Sequence, residues 1–239
     1  MDELKNLDEK NIKLLHKHKV LYPLVQSIVY GHIIDPTELS PAEKNEAINY
    51  LWKNNQIKDE KDFINWLEKN KLNREVVEKQ QIYEKKFNKL AVEKFVHKIE
   101  SRFLQKKSEI DTVIYSLIRI KDPFQAREIH LRLKEKESDF SDLAYKYSEG
   151  IEQMTRGVIG PIALNKAHPK VIEVLTSIKP GEIYKPITVD NWQIILRLEA
   201  FNRATLDPYM KLQIAKELMR EWLDDQSKSI MKDLLKSNN

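Results

Sequence analysis

The chain has 239 residues and no cysteine. That excludes a disulfide framework and a thiolate-held metal centre. Glycine is scarce, at five residues, which points to much helix and few tight turns. No run approaches the roughly 18 apolar residues of a membrane-crossing helix, so no membrane insertion is expected. The opening ten residues, MDELKNLDEK, lack the apolar stretch and cleavage site of an export signal, and the expected compartment is cytoplasmic. Charge of one sign is also lacking. Residues 1–108 hold 21 Lys and Arg against 17 Asp and Glu, and the remainder holds 20 against 20, for a net charge of +4. A nucleic-acid partner would call for a concentrated basic face, so none is expected. Phosphate loops, nucleophile triads, metal clusters, internal repeats and low-complexity linkers are all missing from the pattern.

What remains is a globular composition, 41% hydrophobic and 33% charged. Residues 1–108 read as helices. Asp8 to about Lys19 is polar and helical. Pro23 suits the first turn of a second helix carrying Leu24, Val25, Ile28, Val29 and Ile33, closed by Gly31 and Asp35-Pro36. Ser40-Pro41-Ala42-Glu43 is a capping box with proline at the first helical position, ahead of Ile48, Leu51 and Trp52. Asp59 caps a short helix bearing Phe63, Trp66 and Leu67, and Asn73 caps a long one with Val76, Tyr83, Phe87, Leu90 and Ala91 at near-helical spacing. Trp52 and Trp66 are expected in the core, with an exposed pair for binding clients as the alternative.

The texture changes at Asp111. Residues 112–120 are rich in β-branched and aromatic side chains and predict a strand. Two helices follow, Pro123 to about Glu137 and Phe140 to Tyr147. Lys179-Pro180-Gly181-Glu182 suits a type II turn, and Trp192 to Glu199 predicts a last strand. Asp207-Pro208 opens a terminal helix whose stripe of Ile214, Leu218, Trp222 and Leu223 needs a partner, for which the N-terminal helices are the expected one. The predicted fold class is α+β. A helical domain over 1–109 is completed by a C-terminal helix over 204–239. A domain over 110–203, a small antiparallel sheet with surrounding helices, is inserted between them.

Several short stretches carry a family resemblance. Phe140-Ser141-Asp142-Leu143-Ala144 with Tyr147-Ser148 looks like "F-x-x-L-A-x-x-[FY]-S". Gly157-Val158-Ile159-Gly160 looks like "G-D-L-G". Leu175, Ile178 to Ile183, Pro186 and Ile187 look like "A-L-x-x-G-E-x-x-x-P-V", and Ile194 to Glu199 like a final strand. In this order and spacing they resemble the parvulin (PpiC, rotamase) family of peptidyl-prolyl isomerases. The flanking helices are similar in style to the framework of SurA/PrsA-type chaperones. The resemblance implies proline-containing peptides or unfolded protein clients as partners, and no cofactor.

Parvulins surround a proline-gripping apolar pocket with a polar floor of two histidines and a Cys or Asp. By resemblance, the first-strand histidine falls on Ser116, the last-strand histidine on Gln193, the Cys or Asp on Gly150, and a further polar floor position on Thr188. The apolar wall falls on Ile159, Ala167 and Val171, with His168 at the rim or, alternatively, starting a helix. This degenerate set implies weak isomerase activity, with a non-catalytic peptide-binding chaperone or a maturation or export partner as the alternative. Val171→Asp is expected to abolish peptide binding while the domain stays folded. His16 and His18, two apart, lack the three- or four-residue spacing of a metal pair on a helix and are expected at the surface, as is His97.

Overall fold

A computed structural model describes Leu4 and residues 6–236. Met1, Asp2, Glu3 and Lys5, part of the opening segment read above for an export signal, lie outside the described residues. The chain divides into two compact units, residues 1–100 with 206–239, and residues 101–205. No helix among the described residues is long and apolar enough to cross a membrane.

The first unit is helical, and local chemistry sets its helix starts. Helix α1 (Glu9–Lys17) is capped by Asp8, whose Oδ1 accepts from the Asn11 N–H at 2.7 Å. Helix α2 (Leu21–Ile34) runs through Gly31 and stops at Asp35-Pro36, so of the two expected stop signals only the second acts. Ahead of α3 (Pro41–Asn54) the capping box is complete: the Glu43 N–H donates to Ser40 Oγ at 3.2 Å and the Ser40 N–H to Glu43 Oε2 at 2.7 Å. Asp59 caps α4 (Glu60–Asn70), and Asn73 caps α5 (Arg74–Gln105). Trp52 and Trp66 pack half-buried against the buried Phe63, with ring centroids 5.6 and 6.2 Å away.

The last helix, α10 (Pro208–Lys236), starts at an Asp207 cap, packs along α2 and meets α5 through side chains such as Lys216 with Glu84 and Arg220 with Phe87. Ile230, Met231, Leu234 and Leu235 close a core of Ile12, Leu21, Val25 and Val29. Tyr22 donates a hydrogen bond to Asp224, and the Lys94 ammonium lies 3.9 Å from the centroid of the Trp222 ring.

The second unit follows the order short helix α6 (Lys107–Ile110), β1 (Thr112–Ile120), α7 (Pro123–Lys134), α8 (Phe140–Tyr147), β2 (Val158–Ala163), α9 (Pro169–Ser177), β3 (Ile183–Val189) and β4 (Trp192–Asn202). A short 3-10 turn, Ile151–Thr155, precedes β2. The four strands form one antiparallel sheet in the order β2-β1-β4-β3. Side chains alternate across it. Val113, Tyr115 and Leu117 of β1 and Ile194, Leu196 and Leu198 of β4 meet Val171, Val174 and Leu175 of α9. On the other face, Ile118, Ile120 and Ile195 meet Ile129 and Leu133 of α7 and Phe140 and Leu143 of α8. Gly157 and Gly160 are obligatory. Both have positive φ, and a Cβ would lie 2.9 Å from the Leu117 carbonyl oxygen at Gly157 and 2.5 Å from that of Val113 at Gly160.

Candidate functional site

The alternation of β1 and β4 decides where the expected site residues lie. Ser116 points to the α7–α8 face. It is buried there, and its hydroxyl donates to the Glu199 carboxylate, which also accepts from Arg197 Nε at 2.7 Å. Arg197 in turn lies over the Phe140 ring. Gln193 points to the same face, at the far end of the strand. Its Nε2 donates to Thr188 Oγ1 at 3.1 Å across the β3–β4 pair. Thr188 and Gln193 therefore come together, while Ser116 belongs to a separate polar cluster.

Ala167 and Val171 lie on the opposite, α9 face, in the core cluster of the sheet, and Ile159 packs half-buried against that cluster. The structure thus does not gather Ser116, Gln193 and Thr188 around the wall formed by Ile159, Ala167 and Val171. The reason is the period of two: a one-residue difference in strand alignment moves a side chain through the sheet. The β1 side chains that share a face with Ala167 and Val171 are Tyr115 and Leu117. His168 takes its helix-starting role, its Nδ1 accepting from the Lys170 N–H at 3.2 Å at the N-terminus of α9. Lys170 Nζ donates to the Thr188 carbonyl at 2.9 Å, tying that turn to β3.

Val171 is also too enclosed for the expected test. At 3% exposure it belongs to the domain core, so a carboxylate there would be a buried unpaired charge and would cost folding before it cost binding. Burial of Val171 corrects the expectation that Val171→Asp leaves the domain folded.

On the α9 face the structure assembles a polar cluster absent from the sequence reading. Glu152, from the 3-10 turn before β2, is 2% exposed. Its carboxylate takes Arg119 as a fork, Nη2 to Oε2 at 2.7 Å and Nε to Oε1 at 3.2 Å. Oε1 also accepts from Ser148 Oγ at 2.7 Å, and Ser148 Oγ accepts from the Arg119 N–H at 3.0 Å. Two-point pairing plus a further donor is what a buried charge needs to offset its desolvation.

The Arg119 guanidinium lies 5.8 Å from the centroid of the Trp192 ring, and Lys121 Nζ lies 5.3 Å from it. Gly150 abuts the cluster: a Cβ there would lie 2.3 Å from Glu152 Oε2. Tyr115 is the cross-strand partner of Ile159, and its hydroxyl has no hydrogen-bond partner among the described residues. Burial, and then the Glu152 charge, push that hydroxyl above its ordinary pKa, against an opposing pull from Arg119. Strand alternation in Tyr115-Ser116-Leu117-Ile118-Arg119 was the available signal for Tyr115 and Arg119. Glu152, in a short irregular turn, had none.

No group of three or more His, Asp or Glu side chains among the described residues is placed to hold a metal ion.

Residues 121–200 match the family model described as Rotamase: PPIC-type PPIASE domain. The matched residues lie in the second unit and make it a PPIC-type peptidyl-prolyl isomerase domain of the parvulin class, with β1 just ahead of the match; the first unit is helical. The chain is similar to the peptidyl-prolyl isomerase PrsA from Bacillus anthracis, at 21% identity over 90% of this chain and 96% of that one, with a TM-score of 0.40. It is also similar to foldase protein PrsA from Streptococcus pneumoniae, at 17% identity over 94% and 85%, with a TM-score of 0.40. A SurA-like chaperone from Campylobacter jejuni is similar at 17% identity over 90% and 92%, with a TM-score of 0.42. A search of curated proteins finds no match.

Proposed function

We propose that the chain binds extended, proline-containing polypeptide segments and isomerises their prolyl bonds slowly. The observation that carries this reading is the family match over the inserted domain. The barrier to be lowered is amide resonance, about 18–20 kcal/mol, and lowering it needs no covalent step. A site does so by gripping the ring against apolar side chains and favouring the twisted amide over the planar one. Ile159 supplies half-buried apolar surface on the α9 face, and Ala167 and Val171 are buried in the core of that face.

Weak catalysis is supported by chemistry. The chain has no cysteine, and the domain's two histidines, His130 in α7 and His168 at the start of α9, stand on helices and not on the strands. A parvulin with two strand histidines should turn over the same peptide faster. The test is exchange of a proline tetrapeptide followed by NMR at equal enzyme concentrations. Measurable exchange below that of a histidine-containing parvulin is expected, and equal turnover would overturn the claim of weakness.

A second reading, holding a client without catalysis, draws on one observation. Ile151 and Met154, on the turn that carries Glu152, are 82% and 83% exposed, and Val158 follows them on the edge strand β2. Large apolar side chains this open suit contact with an unfolded chain. Suppressed aggregation of a denatured client with no prolyl exchange would favour holding alone.

A further inference from the structure

The position where the family's Cys or Asp falls is Gly150, and the backbone gives no reason for glycine there. Its φ of −108° and ψ of 177° are extended and open to any residue. What excludes a side chain is the Glu152 carboxylate: a Cβ on Gly150 would lie 2.3 Å from Oε2 and 2.4 Å from Oε1. The space an acid at 150 would fill is thus held by an acid from two residues further on. That carboxylate is fixed by Arg119 and Ser148 on the same sheet face as Tyr115 and Ile159.

We propose that Glu152 stands in for the missing acid, and that the Tyr115 hydroxyl on the same sheet face is the polar group of the prolyl site, donating to the substrate's prolyl nitrogen as the amide twists. The proposal rests on the prolyl-isomerase reading above. The chemistry selects the transition state. In the planar amide the nitrogen lone pair is delocalised into the carbonyl and accepts poorly. At the twisted geometry the pair is localised on nitrogen and accepts a hydrogen bond. A donor aimed there stabilises the twisted state and leaves the planar one almost untouched.

Tyr115 suits that task. Its ring is packed in the sheet core, its hydroxyl has no hydrogen-bond partner among the described residues, and its cross-strand neighbour is the half-buried Ile159. Glu152 acts as a positioning residue. Arg119 and Ser148 hold its carboxylate in one place, on the sheet face that carries Tyr115.

The experiment compares prolyl exchange and peptide affinity for the full chain and four variants, with circular dichroism to confirm folding. Tyr115→Phe keeps the ring and removes the donor. Its kcat should fall about tenfold, the scale of one neutral hydrogen bond made in the transition state, with KM and peptide affinity within about twofold. Glu152→Ala should also lower kcat, and Glu152→Ala with Gly150→Asp should recover most of it by returning an acid to the same place. Gly150→Asp alone, which collides with Glu152, should not gain.

A wild type that neither binds nor turns over the peptide overturns the function on which this assignment rests. A wild type that turns over with Tyr115→Phe unchanged, or with affinity lost and kcat kept, overturns the assignment alone. A wild type that binds without exchange also overturns it, since the hydroxyl then contributes nothing to catalysis.

Discussion

A valine at 3% exposure and a serine at 1% look alike by burial, yet they answer to different physics. Val171 is buried in the apolar α9 face cluster, so Val171→Asp places a charge among hydrophobic side chains. We expect it to destabilise the inserted domain by about 3 kcal/mol or more, read as a shift of its denaturation midpoint. Ser116 has a partner in Glu199, which keeps Arg197 when the hydroxyl is removed. Ser116→Ala should therefore cost only about 1 kcal/mol and leave proline-peptide affinity unchanged, because the side chain faces away from Ile159. A large loss of affinity in Ser116→Ala with an intact fold would place the site on the α7–α8 face instead. The sequence made the motif positions legible to within one residue, and in a strand one residue is the difference between two faces. Gly150 was legible as a departure from the family, but its cause was not, because nothing in the order Gly150-Ile151-Glu152 says that the glutamate folds back over the glycine.

At the scale of elements, helix starts were legible because a cap is a contact between residues three apart. Ser40 and Glu43 are the clearest case, and the structure adds what the sequence could not show, a third partner 46 residues away. Lys89 Nζ on α5 lies 3.0 Å from Glu43 Oε1. The Ser40 N–H first, and Lys89 after it, lower the Glu43 pKa from 4.5 to about 2. A carboxylate whose pKa is depressed by folding contributes stability above its unfolded pKa and loses it as pH falls through its folded one. The stability difference between wild type and Glu43→Gln should therefore be constant above about pH 5, shrink below about 4.5 and vanish near 2. Thermal midpoints across that range measure it, and a difference that persists at pH 2 would assign the effect to packing and not to charge. Stops were less legible than starts. Gly31 reads as a terminator but sits inside α2, where the surrounding apolar residues buried against α10 outweigh its cost of about 1 kcal/mol.

At the scale of the whole molecule, the chain returns at Leu206 to complete the unit it left after Glu100. The apolar stripe of α10 foretold a partner, and packing within that unit supplies it. Leu223 is fully buried, Trp222 lies under Lys94 of α5, and Asp224 accepts from Tyr22 of α2. The last two join segments more than a hundred residues apart, so the helical unit holds together through contacts that local sequence cannot encode. Truncating Leu223 to alanine removes buried methyl groups from that joint and should destabilise the helical unit by about 2–5 kcal/mol. The inserted domain has its own two cores, one on each face of its sheet, and contains neither Leu223 nor its neighbours. Hydrogen exchange on Leu223→Ala should therefore show faster exchange across α2, α5 and α10, with protection of β1 and β4 unchanged. Equal loss of protection in β1 and β4 would mean that the two units unfold as one, and that the insertion draws its stability from the framework that carries it.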